Sequence, residues 1–421
     1  MKNSIKHIYS KHQETIHNFS WRALQTFGKQ IVTFSILILS AKLLTPYDFG
    51  IYNYILAIIF LLILFGDFGI STATSKYVAE YNATDKRKLE LILFNSSVIL
   101  VSLALAISLL TVIIGKYVFD EKYVYVLYVL PMLFFAPISS LYDGIFRGLK
   151  RFKDLAIISL SVGISSLIFV YLLISKYGLI GALISQSLFY IILTTVLFLT
   201  YGNLHVQFDR KIMRTLLDYS LVIGVSSIAY FLYSRVDILI LGHYGYVEEI
   251  GYYELINKGF ELMFLPFALL AQVIAPDITA YFAKKDYSKV RTKLFSFMKI
   301  IIPLSILIAI MFYYLFPLLI REFLTEYYVE GMLISIFILT FLIPFKIWGV
   351  FQTQSFIVAT GFARIIAITT LIGGVLNVIF DIIFINLIGF TGVFWVTLAI
   401  HSLSIIFVSI WFRKKIGVLE K

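Results

Sequence analysis

The chain alternates about twelve long apolar stretches with short polar loops. A helix needs about 20 apolar residues to cross the hydrocarbon core of a bilayer, which is about 30 Å thick. The apolar runs are continuous rather than alternating with a period of two, so they predict helices and not barrel strands. We therefore predict an all-α integral membrane protein. Twelve spans are predicted at residues 21–43, 51–75, 89–114, 123–146, 155–175, 179–201, 213–241, 250–280, 295–320, 331–357, 365–387 and 391–412.

Basic residues fall on alternate loops. With the N-terminus placed inside, the inner segments carry 26 of the 35 Lys and Arg residues and the outer loops carry five. Cytoplasmic loops are enriched in Lys and Arg, so this bias predicts a protein of the cell membrane with both termini in the cytoplasm. The same bias accounts for the net charge of +11. Nucleic acid is therefore not expected as a partner.

The composition and the sequence motifs exclude several classes of protein and of catalytic chemistry. With 60% hydrophobic and 14% charged residues, the chain is not a soluble globular domain, and without Cys it has no thiol chemistry. It has no phosphate-binding Gly loop, Gly-x-Ser-x-Gly or His-Glu-x-x-His motif. An ATPase or a soluble-type hydrolase is therefore unsupported. We expect a transporter rather than an enzyme, with no cofactor, metal or catalytic residue.

The chain contains an internal repeat. Residues 49–54 open the second predicted span much as residues 250–255 open the eighth, and Gly-rich segments open the sixth and twelfth. Both pairs are separated by about half the chain. The repeat predicts a six-helix N-terminal lobe at residues 1–205 and a six-helix C-terminal lobe at residues 206–421. Because six is even, the two halves enter the membrane from the same side and form a parallel pseudo-repeat.

One face of the first predicted span is polar. At intervals of three or four positions it carries Arg22, Gln25, Lys29 and Thr33. Such spacing aligns side chains along one side of a helix. Charged groups inside a bilayer usually face a cavity or a partner. Small polar residues that only join helices would explain Thr33 but not Lys29, so we interpret this stripe as the wall of a water-filled cavity.

The seventh and eighth predicted spans carry further polar groups. One face of the seventh bears Tyr219, Ser226, Tyr230, Tyr233 and Asp237. Arg235 lies on the opposite side of that helix from Asp237, so these two are not expected to pair. In the eighth span Lys258 and Glu261 are three positions apart and can form an ion pair.

Acidic residues occur elsewhere in the apolar segments. Asp67 and Asp381 lie in the second and eleventh predicted spans. Asp143 and Arg147 are four positions apart near the inner surface, where we expect an ordinary salt bridge. The candidate substrate-binding residues are Arg22, Gln25, Lys29, Thr33, Asp67, Tyr230, Tyr233, Arg235, Asp237, Lys258 and Glu261.

Several segments resemble a known family. Residues 43–52 with 66–70, residues 235–242 with 251–253, and Pro276 before an inner loop are similar to polysaccharide flippases. These belong to the multidrug/oligosaccharidyl-lipid/polysaccharide exporter (MOP) superfamily. The resemblance extends over nearly the whole chain, although its motifs are short.

The resemblance implies a function. Members of the family flip polyprenyl-pyrophosphate-linked oligosaccharides from the cytoplasmic to the outer leaflet by alternating access, as part of cell-envelope glycan biosynthesis. It implies two six-helix lobes around a cavity lined by basic residues, and Lys29, Arg235 and Lys258 lie in matching spans. The expected partners are the lipid-linked substrate, the bilayer and glycan-assembly enzymes.

Two other functions remain open. A cation-coupled drug or small-molecule antiporter of the same superfamily would share the fold and prefer acids in its cavity, as Asp67, Asp237, Glu261 and Asp381 allow. A membrane-embedded glycan polymerase or glycosyltransferase would more often carry a large outer loop with catalytic residues. No loop of this chain is long enough for such a domain.

Overall fold

The computed structural model describes residues 2–202 and 206–420, and within them every regular element is helical. This confirms the all-α class. The helices are α1 (Lys2–Leu43), α2 (Pro46–Asp67), α3 (Ile70–Thr84), α4 (Lys86–Phe119), α5 (Tyr123–Tyr128), α6 (Leu130–Gly148), α7 (Phe152–Tyr201), α8 (Arg210–Ser234), α9 (Val236–His243), α10 (Val247–Ala283), α11 (Tyr287–Phe323), α12 (Glu330–Thr340), α13 (Ile343–Gln352), α14 (Ala363–Ile388) and α15 (Phe390–Glu420).

Local sequence explains several helix ends. Asp85 caps α4 by accepting hydrogen bonds from the backbone N–H groups of Arg87 and Lys88. Asp286 caps α11 in the same way, and hydrogen bonds from the side chain and backbone of Lys289 hold the pKa of Asp286 below its usual value. Polar loops with acidic caps therefore separate the apolar helices.

Nine of the described helices are long and apolar enough to cross a membrane, or ten if α12 and α13, bent by 44° at their junction, form one span. The helix α7 holds two shorter helices that meet at Gly178, whose φ of +55° favours glycine. These correspond to the fifth and sixth predicted spans. The helix α6 covers most of the fourth, but it carries a charged pair and two prolines. The total of twelve spans stays a prediction.

The described residues form two compact units. The first comprises the chain up to Leu44 together with Ile55–Ile228, and the second comprises Thr45–Tyr54 together with the chain from Ala229 onward. The predicted boundary between residues 205 and 206 adjoins residues 203–205, which lie outside the described part of the chain. The division into two lobes of six helices each therefore stays a prediction.

Close backbone packing holds the first unit together. Gly144 and Gly148, one turn apart on α6, face α3, where an added Cβ would lie 2.5 Å from the carbonyl oxygen of Ser71 and 2.8 Å from that of Ser75. Small residues at this spacing let membrane helices approach closely. The approach fixes the position of α6, which carries Asp143 and Arg147.

The second unit brings together the two copies of one repeated motif. An added Cβ on Gly50, near the start of α2, would lie 2.0 Å from the carbonyl oxygen of Val247 at the start of α10. On Gly251 it would lie 3.0 Å from the ring of Phe49. The glycine of each copy therefore permits contact between these two helix starts.

Candidate functional site

The polar stripe of α1 meets an acidic residue of α6. Lys29 Nζ lies 3.7 Å from Asp143 Oδ1, and Arg147 Nε lies 2.7 Å from Asp143 Oδ2. The pair predicted between Asp143 and Arg147 is thus present, but Asp143 also joins two helices. The side chain of Lys29 is 47% exposed, so the described residues do not enclose it.

A buried amide extends this group. Arg22 Nη1 donates to Gln25 Oε1, and Gln25 Nε2 donates to Asp143 Oδ1 at 3.3 Å. Gln25 also lies 3.5 Å from Ser159 Oγ of α7. Within the first unit, the amide of Gln25 therefore connects α1, α6 and α7. We call Arg22, Gln25, Lys29, Asp143 and Arg147 the Asp143 cluster.

The Asp143 cluster has more positive than negative groups. Three basic side chains surround its one carboxylate, and both Asp143 and Arg147 act electrostatically on Arg22. Such an excess suits an anionic ligand, because a ligand phosphate supplies the missing negative charge. Thr33, the fourth residue of the predicted stripe, is exposed and lies outside these hydrogen bonds.

Asp67 occupies a break between helices. Its side chain accepts hydrogen bonds from the backbone N–H groups of Gly69 and Ser71, each at 3.2 Å, and from the hydroxyl of Ser71. Phe68 and Gly69 both have positive φ there. These bonds indicate that Asp67 caps α3, a role that its sequence context did not reveal. A role in substrate binding stays a prediction.

The seventh predicted span is broken at Arg235. The helix α8 ends at Ser234, Arg235 is non-helical with φ of −143°, and α9 begins at Val236. The expectation that Asp237 shares one continuous helix face with Tyr230 is therefore wrong. Arg235 Nη1 instead lies 2.8 Å from Glu254 Oε1 of α10, and the Glu254 side chain is only 6% exposed.

The cations Arg235 and Lys258 are both paired with acidic side chains. The predicted pair is present, with Lys258 Nζ 2.6 Å from Glu261 Oε2, and Arg235 Nη2 lies 4.0 Å from Glu261 Oε1. Two bases and two acids, counting Glu254, form this network. It offers less net positive charge than the Asp143 cluster does.

Asp237 is the centre of a buried polar group in the second unit. It is 0% exposed and accepts hydrogen bonds from the hydroxyl of Tyr253, the amide of Asn377 and the hydroxyl of Thr397. The carboxyl of Asp381 lies beside that of Asp237, and no described donor reaches either of its oxygens. A pair of adjacent buried carboxyls can bind a proton or a cation between them, because two negative charges so close together repel each other.

The two tyrosines of the predicted site differ in their exposure and in their neighbours. Tyr230 is 63% exposed, whereas Tyr233 is half-buried with its ring centroid 4.1 Å from that of His401. Lys346 Nζ lies 5.8 Å from the centre of the Tyr233 ring. Within the described residues, no three His or acidic side chains are grouped as metal ligands.

The second unit also contains an apolar cavity of about 850 Å³. It is lined by α11, α12, α13 and α15, mostly with aliphatic and aromatic side chains. Of its polar residues, Thr340 donates to the carbonyl of Ile336 and Ser409 donates to Gln352. The cavity therefore suits a largely apolar ligand.

Comparison with solved structures identifies the fold. An inward-facing multidrug resistance MATE family transporter of the MOP superfamily is 16% identical, with a TM-score of 0.78 over 93% of this chain and 95% of that one. The lipid II flippase MurJ in an inward closed conformation is 18% identical, with a TM-score of 0.73 over 94% and 90%. The chain is thus a multi-pass membrane protein with the fold of MOP superfamily transporters.

Sequence comparison then gives the family. Residues 15–282 match the family described as polysaccharide biosynthesis protein, and the chain belongs to that family. It is also 23% identical to an uncharacterised membrane protein of Methanocaldococcus jannaschii, over 96% of this chain and 85% of the relative. The family predicted from the sequence is confirmed.

Proposed function

We propose that the protein flips a polyprenyl-pyrophosphate-linked oligosaccharide from the cytoplasmic to the outer leaflet by alternating access. The Asp143 cluster is the observation that carries this proposal, because three bases around one carboxylate suit a pyrophosphate. The apolar cavity has the chemistry needed for part of a lipid tail. No bond is made or broken, so no catalytic group is required.

The direct test is to delete the gene and analyse lipid-linked sugars by mass spectrometry. We expect a lipid-linked oligosaccharide to accumulate on the cytoplasmic face and to disappear when the gene is restored. A block in glycan polymerisation would instead leave single repeat units on the outer face. An unchanged lipid pool would contradict the proposal.

Lys29 provides a test at the level of one residue. Lys29→Arg keeps the cation and should retain more complementing activity than Lys29→Gln or Lys29→Ala, although Arg does not reproduce the point charge of Lys. Because Lys29 is 47% exposed, these changes should leave the protein level unchanged. Lys42→Gln, at an exposed position on the same helix, is the control and should be fully active. Full activity of Lys29→Gln would show that this cation does not hold the substrate.

The proposed direction requires a particular topology. We propose that both termini and the loop after α10 are cytoplasmic in the cell membrane. The chain has no Cys, so Lys284→Cys and Glu248→Cys, both at exposed positions, each introduce a single thiol. An impermeant thiol reagent added to intact cells should label the second variant and not the first. Labelling of the first variant would overturn this topology.

A second candidate function is cation-coupled antiport of a drug or small molecule. The adjacent carboxyls of Asp237 and Asp381 favour it, because such a pair can bind and release a proton or a metal cation. Gene loss would then change drug sensitivity and leave the lipid-linked sugars unaltered. The same carboxyls are also compatible with a flippase that is coupled to a cation gradient.

A further inference from the structure

Lys346 differs from three paired cations of the predicted spans. Lys29, Arg235 and Lys258 each form a salt bridge with a carboxylate. Lys346 lies in α13, near the middle of the tenth predicted span, and among residues 2–202 and 206–420 no carboxylate forms a salt bridge with it. A charge at this depth is costly unless it is matched.

A second polar group without a described hydrogen-bond partner lies near Lys346. His401 is 2% exposed, and its Nδ1 has no hydrogen-bond partner in the described residues. The His401 ring packs on Tyr233, and the ammonium of Lys346 lies over the same tyrosine ring. A cation and a buried imidazole therefore both lie close to one aromatic side chain.

The nearby acids do not supply the missing partner. Asp237 acts on Lys346 electrostatically, but its oxygens already accept hydrogen bonds from Tyr253, Asn377 and Thr397. Asp381 lies beside Asp237 and forms no salt bridge with a described cation. Lys346 thus retains donors for a further anion.

We propose that Lys346, beside Tyr233 and His401, binds the pyrophosphate of the lipid-linked substrate inside the second unit. The ammonium supplies a charge and three N–H donors. The bound phosphate matches the charge that the empty protein leaves unpaired. This inference rests on the proposed function and adds a site that lies outside the Asp143 cluster.

The test is a binding titration with the purified full-length protein in nanodiscs of phosphatidylcholine. The probe is farnesyl pyrophosphate, and farnesol is its uncharged counterpart. We expect saturable binding of the pyrophosphate alone. Lys346→Gln should weaken that binding at least tenfold, about the effect of losing one charge-assisted hydrogen bond. Lys346→Arg should retain most of the affinity, and Lys299→Gln, at an exposed position of α11, should match the wild type.

Three results would overturn the inference. The first is wild-type affinity of Lys346→Gln, checked as a monodisperse protein. The second is equal binding of farnesol and farnesyl pyrophosphate by the wild type. The third is displacement of the probe by phosphatidylglycerol in nanodiscs, with the same dependence on Lys346, because the site would then hold a bilayer phospholipid. Accumulation of lipid-linked sugar in the deletion strain would still support the proposed function in each case, so the two can fail separately.

Discussion

Arg235→Met should destabilise the protein by about 2–3 kcal/mol, because it leaves Glu254 buried without its cation. Loss of one partner from a fully buried ion pair costs about 3–5 kcal/mol. Arg235 is 32% exposed while Glu254 is only 6% exposed, so solvent reduces the effect. The measurement is the free energy of unfolding in mixed detergent micelles.

The pair of Arg291 and Glu420 is a matched control. It also joins two helices of the second unit, with 3.0 Å between Arg291 Nη1 and Glu420 Oε2, but its side chains are 48% and 30% exposed. Arg291→Met should therefore cost only about 0–1 kcal/mol. Replacing both Arg235 and Glu254 with Met should restore much of the lost stability, since neither charge is then left alone. A double variant as unstable as Arg235→Met would contradict this account.

Asp237→Ala should impair both folding and transport, whereas Asp381→Asn should impair transport alone. The first removes the acceptor of three buried donors, and each unsatisfied donor costs about 1–3 kcal/mol. We expect it to lower both the folded protein level and the complementing activity. Asp381→Asn keeps a polar side chain of the same size beside Asp237, and no described donor reaches the Asp381 oxygens, so the protein should fold normally. It should nevertheless lose at least about tenfold in activity, because the carboxyl pair can no longer exchange a proton or cation.

The comparison requires activity normalised to the amount of folded protein in the membrane. Ser402→Ala is a suitable control, because the Ser402 hydroxyl is also buried without a described partner but carries no charge. It should fold and transport normally. Normal activity of Asp381→Asn would exclude a coupling role for this carboxyl pair.

Hydrophobic pattern and helix periodicity predicted much of this fold. The fifth and sixth predicted spans meet at Gly178, where only glycine adopts the required backbone angles easily. The pair of Lys258 and Glu261 was also predictable, since its two members are neighbours on one helix turn. Both features depend on residues close together in the sequence.

The partners that cross between helices were not predictable in this way. Asp143 is 114 positions from Lys29, and Asn377 is 140 positions from Asp237, so no local spacing links them. The break at Arg235 was also not predictable, because the hydrophobic pattern continues through α9 without interruption. At this break Arg235 contacts Glu254, which belongs to the next predicted span.

The pairing of Arg235 with Glu254 also constrains how the chain is inserted during synthesis. When the seventh predicted span leaves the ribosome, Glu254 has not yet followed, so Arg235 enters the translocon without its partner. Apolar segments that carry an unmatched Arg partition poorly into lipid. The seventh span is therefore expected to wait beside the translocon until α10 arrives, and the two then move into the bilayer together as a helical hairpin.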